Sequence, residues 1–127
     1  MAGLTLDAGA VIGFERDDRR VVAHLKAALL AGREVTVPAV VVAEAWRGGP
    51  RSARIARLLA GCVVESVGET LARAAGEAMA KVSKAGTIDA LVMACAARRG
   101  DAVLTSDPDD LTALQLCFPK VRVIAIG

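Results

Sequence analysis

An α/β fold is predicted for this chain, with a central, mostly parallel five-stranded sheet and helices on both faces. Apolar strand-like runs alternate with helix-like segments, and the joints between them carry glycine, proline or a capping residue. The 127 residues amount to a single domain over 1–127. Apolar residues make up 54%, and the 12 glycines raise this to about 64%, against roughly 45–50% in an ordinary globular chain. The excess excludes disorder and points to apolar surface covered by a partner or a second copy.

Leu4-Thr5-Leu6 reads as a short buried strand ending at Asp7, followed by a small apolar helix from Ala8 to Phe14. Asp17 or Asp18 caps a helix running to Ala31, with Val21, Val22, Leu25, Ala28 and Leu29 on its apolar face and Gly32 at its end. Val35 to Val37 is the second strand, and Pro38 suits the first turn of a helix from Ala39 to Arg47. Gly48-Gly49-Pro50 breaks that helix, and another runs from Arg51 to Ala60. Cys62 to Glu65 is the third strand. A long helix from Glu69 to Lys84 stops at Gly86, and Thr87 caps a helix from Ile88 to Arg99 that Gly100 closes. Ala102 to Thr105 is the fourth strand, Pro108 to Leu116 a short helix, and Val121 to Ile126 the last strand.

Composition excludes several classes. The net charge of +2 singles out no acidic or basic partner. Phe14, Trp46 and Phe118 are the only aromatic residues, too few for a single-strand binder built on rows of stacked bases. Cys62, Cys95 and Cys117 are far apart, form no CxxC pair and have no histidine cluster beside them. Neither a zinc site nor a disulfide framework is expected, and a reducing cytoplasm suits them. No apolar run approaches the ~18 residues of a membrane span. Residues Met1 to Phe14 lack the basic start of a signal peptide and carry Asp7 where one would be apolar.

The chemistry resides in the acids. Asp7 follows the first strand and Asp107 lies two residues after the fourth, so a parallel sheet places both at its carboxyl edge, where open α/β folds bind ligands. Each could instead serve as a helix cap. Glu44 stands in Ala39-Val40-Val41-Val42-Ala43-Glu44-Ala45-Trp46, a segment apolar on every side, and is expected to be buried. A buried carboxylate needs a cation or donors, either an arginine or a metal. Asp89 opens an apolar helix, where it could simply complement the helix dipole. Together the four suggest one pocket. Two carboxylates ~4 Å apart repel by about 4 kcal/mol at an effective dielectric of 20, and a divalent cation removes that cost. All-oxygen ligation favours Mg²⁺, with Mn²⁺ as the alternative, and suits metal-assisted phosphodiester hydrolysis.

These segments carry a resemblance. Asp7 after the first strand, Val37-Pro38-Ala39-Val40-Val41-Val42-Ala43-Glu44, Thr87-Ile88-Asp89-Ala90-Leu91, and Leu104-Thr105-Ser106-Asp107 with Asp110 beyond resemble the PIN-domain ribonucleases. Length and spacing are similar to those of the VapC toxins of type II toxin–antitoxin systems. The resemblance implies a PIN-like three-layer sandwich, with Asp7, Glu44, Asp89 and Asp107 as a catalytic, metal-binding quartet and Thr105, Ser106 and Asp110 around it. It implies an Mg²⁺-dependent endoribonuclease, leaving 5′-phosphate and 3′-hydroxyl ends on a structured RNA such as tRNA. It also implies a homodimer neutralised by a cognate antitoxin.

Other readings are weaker. A catalytically silent PIN-like module that binds RNA or protein has no need of four intact acids. A phosphoacceptor signalling domain needs an Asp after the third strand, where this chain has Glu65-Ser66-Val67. A hydride-transfer enzyme needs a GxGxxG after the first strand, and none is present. His24, the only histidine, lies mid-helix and makes a poor candidate base. Arg47, Arg51, Arg54 and Arg57 form a basic run that either holds RNA phosphates or solvates a helix face. The stretch from Arg51 to Leu59 is the expected dimer face.

Overall fold

A computed structural model describes residues 2–127. Five strands alternate with helices: β1 (Leu4–Leu6), β2 (Val35–Pro38), β3 (Val63–Glu65), β4 (Ala102–Thr105) and β5 (Val123–Ala125). The helices are α1 (Ala8–Glu15), α2 (Arg19–Leu30), α3 (Ala39–Ala45), α4 (Ala53–Ala60), α5 (Glu69–Lys81), α6 (Thr87–Arg99) and α7 (Pro108–Ala113). Every strand pairing is parallel, in the order β3-β2-β1-β4-β5. The chain steps outward from β1 to β3, then crosses to β4 on the other side. Right-handed crossovers therefore put α1, α2 and α4 on one face of the sheet and α5, α6 and α7 on the other. The three-layer α/β sandwich is as expected.

The centre of the sheet is the driest part. Leu6, Val37, Val103 and Leu104 are fully buried, and Val11, Val21, Ile55, Met93 and Leu114 close over them from the two helical layers. Burying a side chain of this size contributes about 1.5–3 kcal/mol. Asp18 caps α2 through a hydrogen bond accepted from Arg20 N–H at 2.9 Å. Gly100 closes α6 in the left-handed conformation, φ 73°, which a side chain at that place would strain.

Several boundaries differ from the sequence reading. Thr87 is the first residue of α6, and Gly86 occupies the capping position without a side-chain bond. Pro38 ends β2 and stands one place before α3. The helix expected from Glu69 to Lys84 ends at Lys81, and the last strand is limited to Val123–Ala125. Two helix ends tighten into 3₁₀ turns, Gly49–Ser52 before α4 and Leu114–Leu116 after α7. The expected dimer face is only partly open: Ile55 and Leu58 of α4 are buried inside this chain, while Leu59 is half-buried and Ala53 and Ala56 are exposed. The exposed large apolar side chains are Leu29 and Leu30 on α2, Val63 and Val64 on edge strand β3, Trp46 and Leu116.

Candidate active site

The sheet order makes the site. β1 and β4 are neighbours with Leu6 opposite Leu104, so the chain leaves both strands side by side at Asp7 and Thr105. Asp7 is 7% exposed and caps α1, its Oδ1 accepting from Ala10 N–H at 2.9 Å. The capping reading of Asp7 is thus correct, and the cap leaves its carboxylate at the carboxyl edge of the sheet. Burial pushes its carboxyl up; the Thr105 hydroxyl and Ala10 N–H pull it down, and Asp107 and Glu44 push it up again. Thr105 Oγ1 accepts from Asp107 N–H at 2.9 Å, which fixes the loop after β4 to the end of that strand. Asp107 stands at the capping position of α7 without making a cap bond. Its carboxyl instead meets Asp110, which hydrogen bonding to Asp107 and their mutual repulsion hold above the usual carboxylate range.

Asp89 enters from the opposite layer, in the first turn of α6. Its carboxyl is pushed up to about 6, first by burial and then by the charges of Asp110, Asp7, Glu44 and Asp107. The other three expected acids and Asp110 therefore all lie within electrostatic reach of Asp89. Among the described residues none of the five forms an ion pair with a lysine or arginine. Nor do three of them close into a ready-made metal cage. Bare carboxylates repel, so they face one another across the sheet edge without meeting at a point.

Glu44 corrects the sequence reading: it is exposed. Helix α3 is only two turns long and buries Val41 and Ala45, one turn apart, leaving Glu44 on the open side. The helix touches both α1 and α6 at the carboxyl edge, which accounts for apolar neighbours around an acid that remains in water. Gly9 escaped notice in the sequence. A Cβ there would lie 2.0 Å from Ser106 Oγ and 3.0 Å from Ser106 Cβ, so a side chain at this position would have to displace Ser106. A cleft of about 540 Å³ opens beside the acids, lined by Gly9, Ile12, Gly13, Arg16, Ser106 and Pro108 among others.

The model of the PIN domain family matches residues 4–115, and this stretch contains every acid of the cluster. The chain belongs to the PIN domain family. Its fold is similar to that of a chain from VapBC2 of Rickettsia felis bound to a DNA fragment from their promoter. There the TM-score is 0.76 at 11% identity, over 96% of this chain and 97% of that one. A chain of DNA-bound VapBC from Salmonella typhimurium gives 0.73 at 15% identity, with both chains covered in full. FitAcB from Neisseria gonorrhoeae gives 0.70 at 21%, over 97% of each chain. No curated protein matches the sequence.

The acidic edge of this PIN domain has a measurable consequence for stability. Asp89 has its folded-state value raised, to about 6 from 3.8. Its contribution to stability is fully present below about pH 4 and is lost as pH rises through about 6. In EDTA at pH 7.5, Asp89→Asn should therefore be more stable than wild type by about 1 kcal/mol. Full conversion of the shift would give more, but the half-exposed carboxyl is screened by solvent. The difference should vanish below pH 4. Thermal melts at the two pH values check this, and equal melting temperatures at pH 7.5 would contradict it.

Proposed function

We propose that this PIN domain is a divalent-metal-dependent endoribonuclease and the toxin of a toxin–antitoxin pair. In this reading Asp7, Glu44, Asp89 and Asp107 hold Mg²⁺, or Mn²⁺ in its place, and structured RNA such as tRNA is the substrate. One observation carries it: carboxylates from four separate segments converge on the carboxyl edge of a PIN fold, and among the described residues no protein cation pairs with them. The donor set is all oxygen, which fits a hard divalent ion. His24 is on α2, and the three cysteines are free and outside the acid cluster.

A bound ion of this kind activates water and stabilises charge on a phosphate. The chain's own groups prepare the site. Ala10 N–H fixes one oxygen of Asp7. Asp110 lies against Asp107, whose hydrogen bonding and charge hold the Asp110 carboxyl above the usual range. Glu44, open to solvent, is placed to meet the side from which RNA approaches. Ser106 is exposed beside Gly9, within reach of a phosphate oxygen.

The antitoxin is proposed from the VapBC and FitAB neighbours. An apolar cleft of about 270 Å³ between α2 and α4, lined by Phe14, Val22, Leu25, Leu29, Leu58 and Cys62 among others, suits the apolar face of a partner helix. Exposed Val63 and Val64 on the edge strand suit a second copy of the chain. Among the described residues no helix is long and apolar enough to cross a membrane. Three free cysteines fit a cytoplasmic setting.

The decisive assay incubates the protein with tRNA in Mg²⁺, in Mn²⁺ and in EDTA, and sequences the ends. Cleavage with either ion, leaving 5′-phosphate and 3′-hydroxyl ends, is expected, together with a rise in melting temperature when the ion is added. Cleavage that persists in EDTA would overturn the metal assignment. Absence of both cleavage and a thermal shift would favour the silent binding module.

A further inference from the structure

Trp46 is the chain's only tryptophan and the only aromatic residue among its exposed large apolar side chains, 40% accessible at the end of α3. Its backbone is nevertheless firmly held. Trp46 N–H donates to Val42 O at 2.8 Å. Immediately after it, the Ser52 hydroxyl, 1% exposed, accepts from Arg47 N–H at 2.8 Å and from Gly48 N–H at 2.9 Å. Gly48 and Gly49, at φ 83° and 59°, turn the chain back toward α4. The result is an ordered loop that leaves the indole partly open to water, two residues after Glu44.

The basic run divides around this loop. Arg54 is committed to the fold: it lies 5.3 Å from the centroid of the Phe14 ring and donates to Phe14 O at 3.2 Å and to Asp17 at 3.3 Å. Arg57 lines the apolar cleft on the other side of α4. Arg47 folds one nitrogen back onto Trp46 O at 2.7 Å and leaves the rest of its guanidinium exposed. Arg51 is exposed and makes no ion pair among the described residues. Two exposed cations therefore lie one and five residues after Trp46 in the chain. Glu44 stands two residues before Trp46, a chain distance of at most about 7 Å.

We propose that Trp46 stacks on one unpaired base next to the scissile phosphate, while Arg47 and Arg51 hold the flanking phosphates. The proposal rests on the nuclease reading for the identity of the site and adds the side chain that would grip the unpaired base at the cut. In a duplex both faces of each base are covered by neighbours, so only a splayed base can meet the indole. Three aromatic residues are too few for a multi-base platform, but one serves a single base when the phosphates on either side are held.

The sole tryptophan is its own reporter. Oligouridine should quench Trp46 fluorescence in EDTA, where no cleavage occurs, and the same strand annealed to oligoadenylate should not. Trp46→Ala should weaken binding of labelled oligouridine about 10-fold or more, with Trp46→Phe restoring most of it. Arg51→Ala should weaken binding and flatten its salt dependence. With tRNA and Mg²⁺, Trp46→Ala should raise KM more than it lowers kcat. Equal response to the duplex, no quenching at concentrations where labelled oligouridine binds, or unchanged binding by Trp46→Ala would each overturn the stacking. Trp46→Ala that cuts like wild type would refute stacking and leave the nuclease reading intact. Quenching by oligouridine without metal-dependent cleavage would do the reverse.

Discussion

Asp107→Asn is expected to reduce metal-dependent RNA cleavage by more than the roughly 10–100-fold that loss of an outer-shell partner costs at a metal site. Under the proposed function its carboxylate is a direct ligand, and an amide carries no charge to balance the ion. The fold should be untouched. The side chain is exposed, makes no cap bond for α7, and is anchored through its backbone N–H to Thr105 Oγ1. Loss of one charge also relieves repulsion on Asp89 and Asp110, so the metal-free variant should melt no lower than wild type. Asp7→Asn should behave alike, because Asn can still accept from Ala10 N–H as a helix cap. Initial rates on tRNA in Mg²⁺ with parallel melts in EDTA separate the possibilities. Cleavage at the wild-type rate by either variant would remove that residue from the active site.

Arg99→Met is expected to lower stability by about 3 kcal/mol or more, a fall in Tm on the order of 10 °C. At the end of α6 the Arg99 guanidinium forks across the sheet. Its Nε donates to Asp101 Oδ2 at 2.9 Å, one terminal nitrogen donates to Thr5 Oγ1 at 2.7 Å, and the other pairs with Glu65. Thr5 Oγ1 in turn donates to Asp101 Oδ2 at 2.9 Å, and Gly3 N–H donates to Asp101 Oδ1 at 3.1 Å. The side chains of Glu65 and Asp101 are 15% and 5% exposed. Methionine matches the stem but leaves two largely buried carboxylates without a counter-charge. Arg98, 3.8 Å from Glu65 and mostly exposed, compensates only weakly. Adding Glu65→Gln and Asp101→Asn to Arg99→Met should recover much of the loss, because the stranded charges are then gone. Urea denaturation measures both steps. A loss below about 0.5 kcal/mol for Arg99→Met would show that solvent already screens this cluster.

The two predictions also mark where sequence reading succeeds and fails. Asp7, Asp89 and Asp107 were legible because each stands at a strand end or helix start, places fixed by the local alternation of apolar runs and breakers. Asp18 was legible as a cap for the same reason. The Arg99 cluster was not, because Thr5, Glu65 and the Arg99–Asp101 pair come from three distant parts of the chain and none has an unusual neighbour. Glu44 misled because apolar neighbours in sequence do not make a buried residue when the helix is two turns long and only one face meets the core.

What the sequence by itself determined is the series of elements, the parallel α/β class and the placement of acids at the carboxyl ends of strands. Those follow from hydrophobic period, breakers and capping, which act over a few residues. Only the tertiary structure decided that β1 lies between β2 and β4, so that Asp7 and Thr105 leave the sheet side by side. It alone assigned Arg54 to the fold and left Trp46, Arg47 and Arg51 outside. Strand order and the choice of charge partner are settled by packing between segments distant in sequence, where total burial and the desolvation of each charge compete.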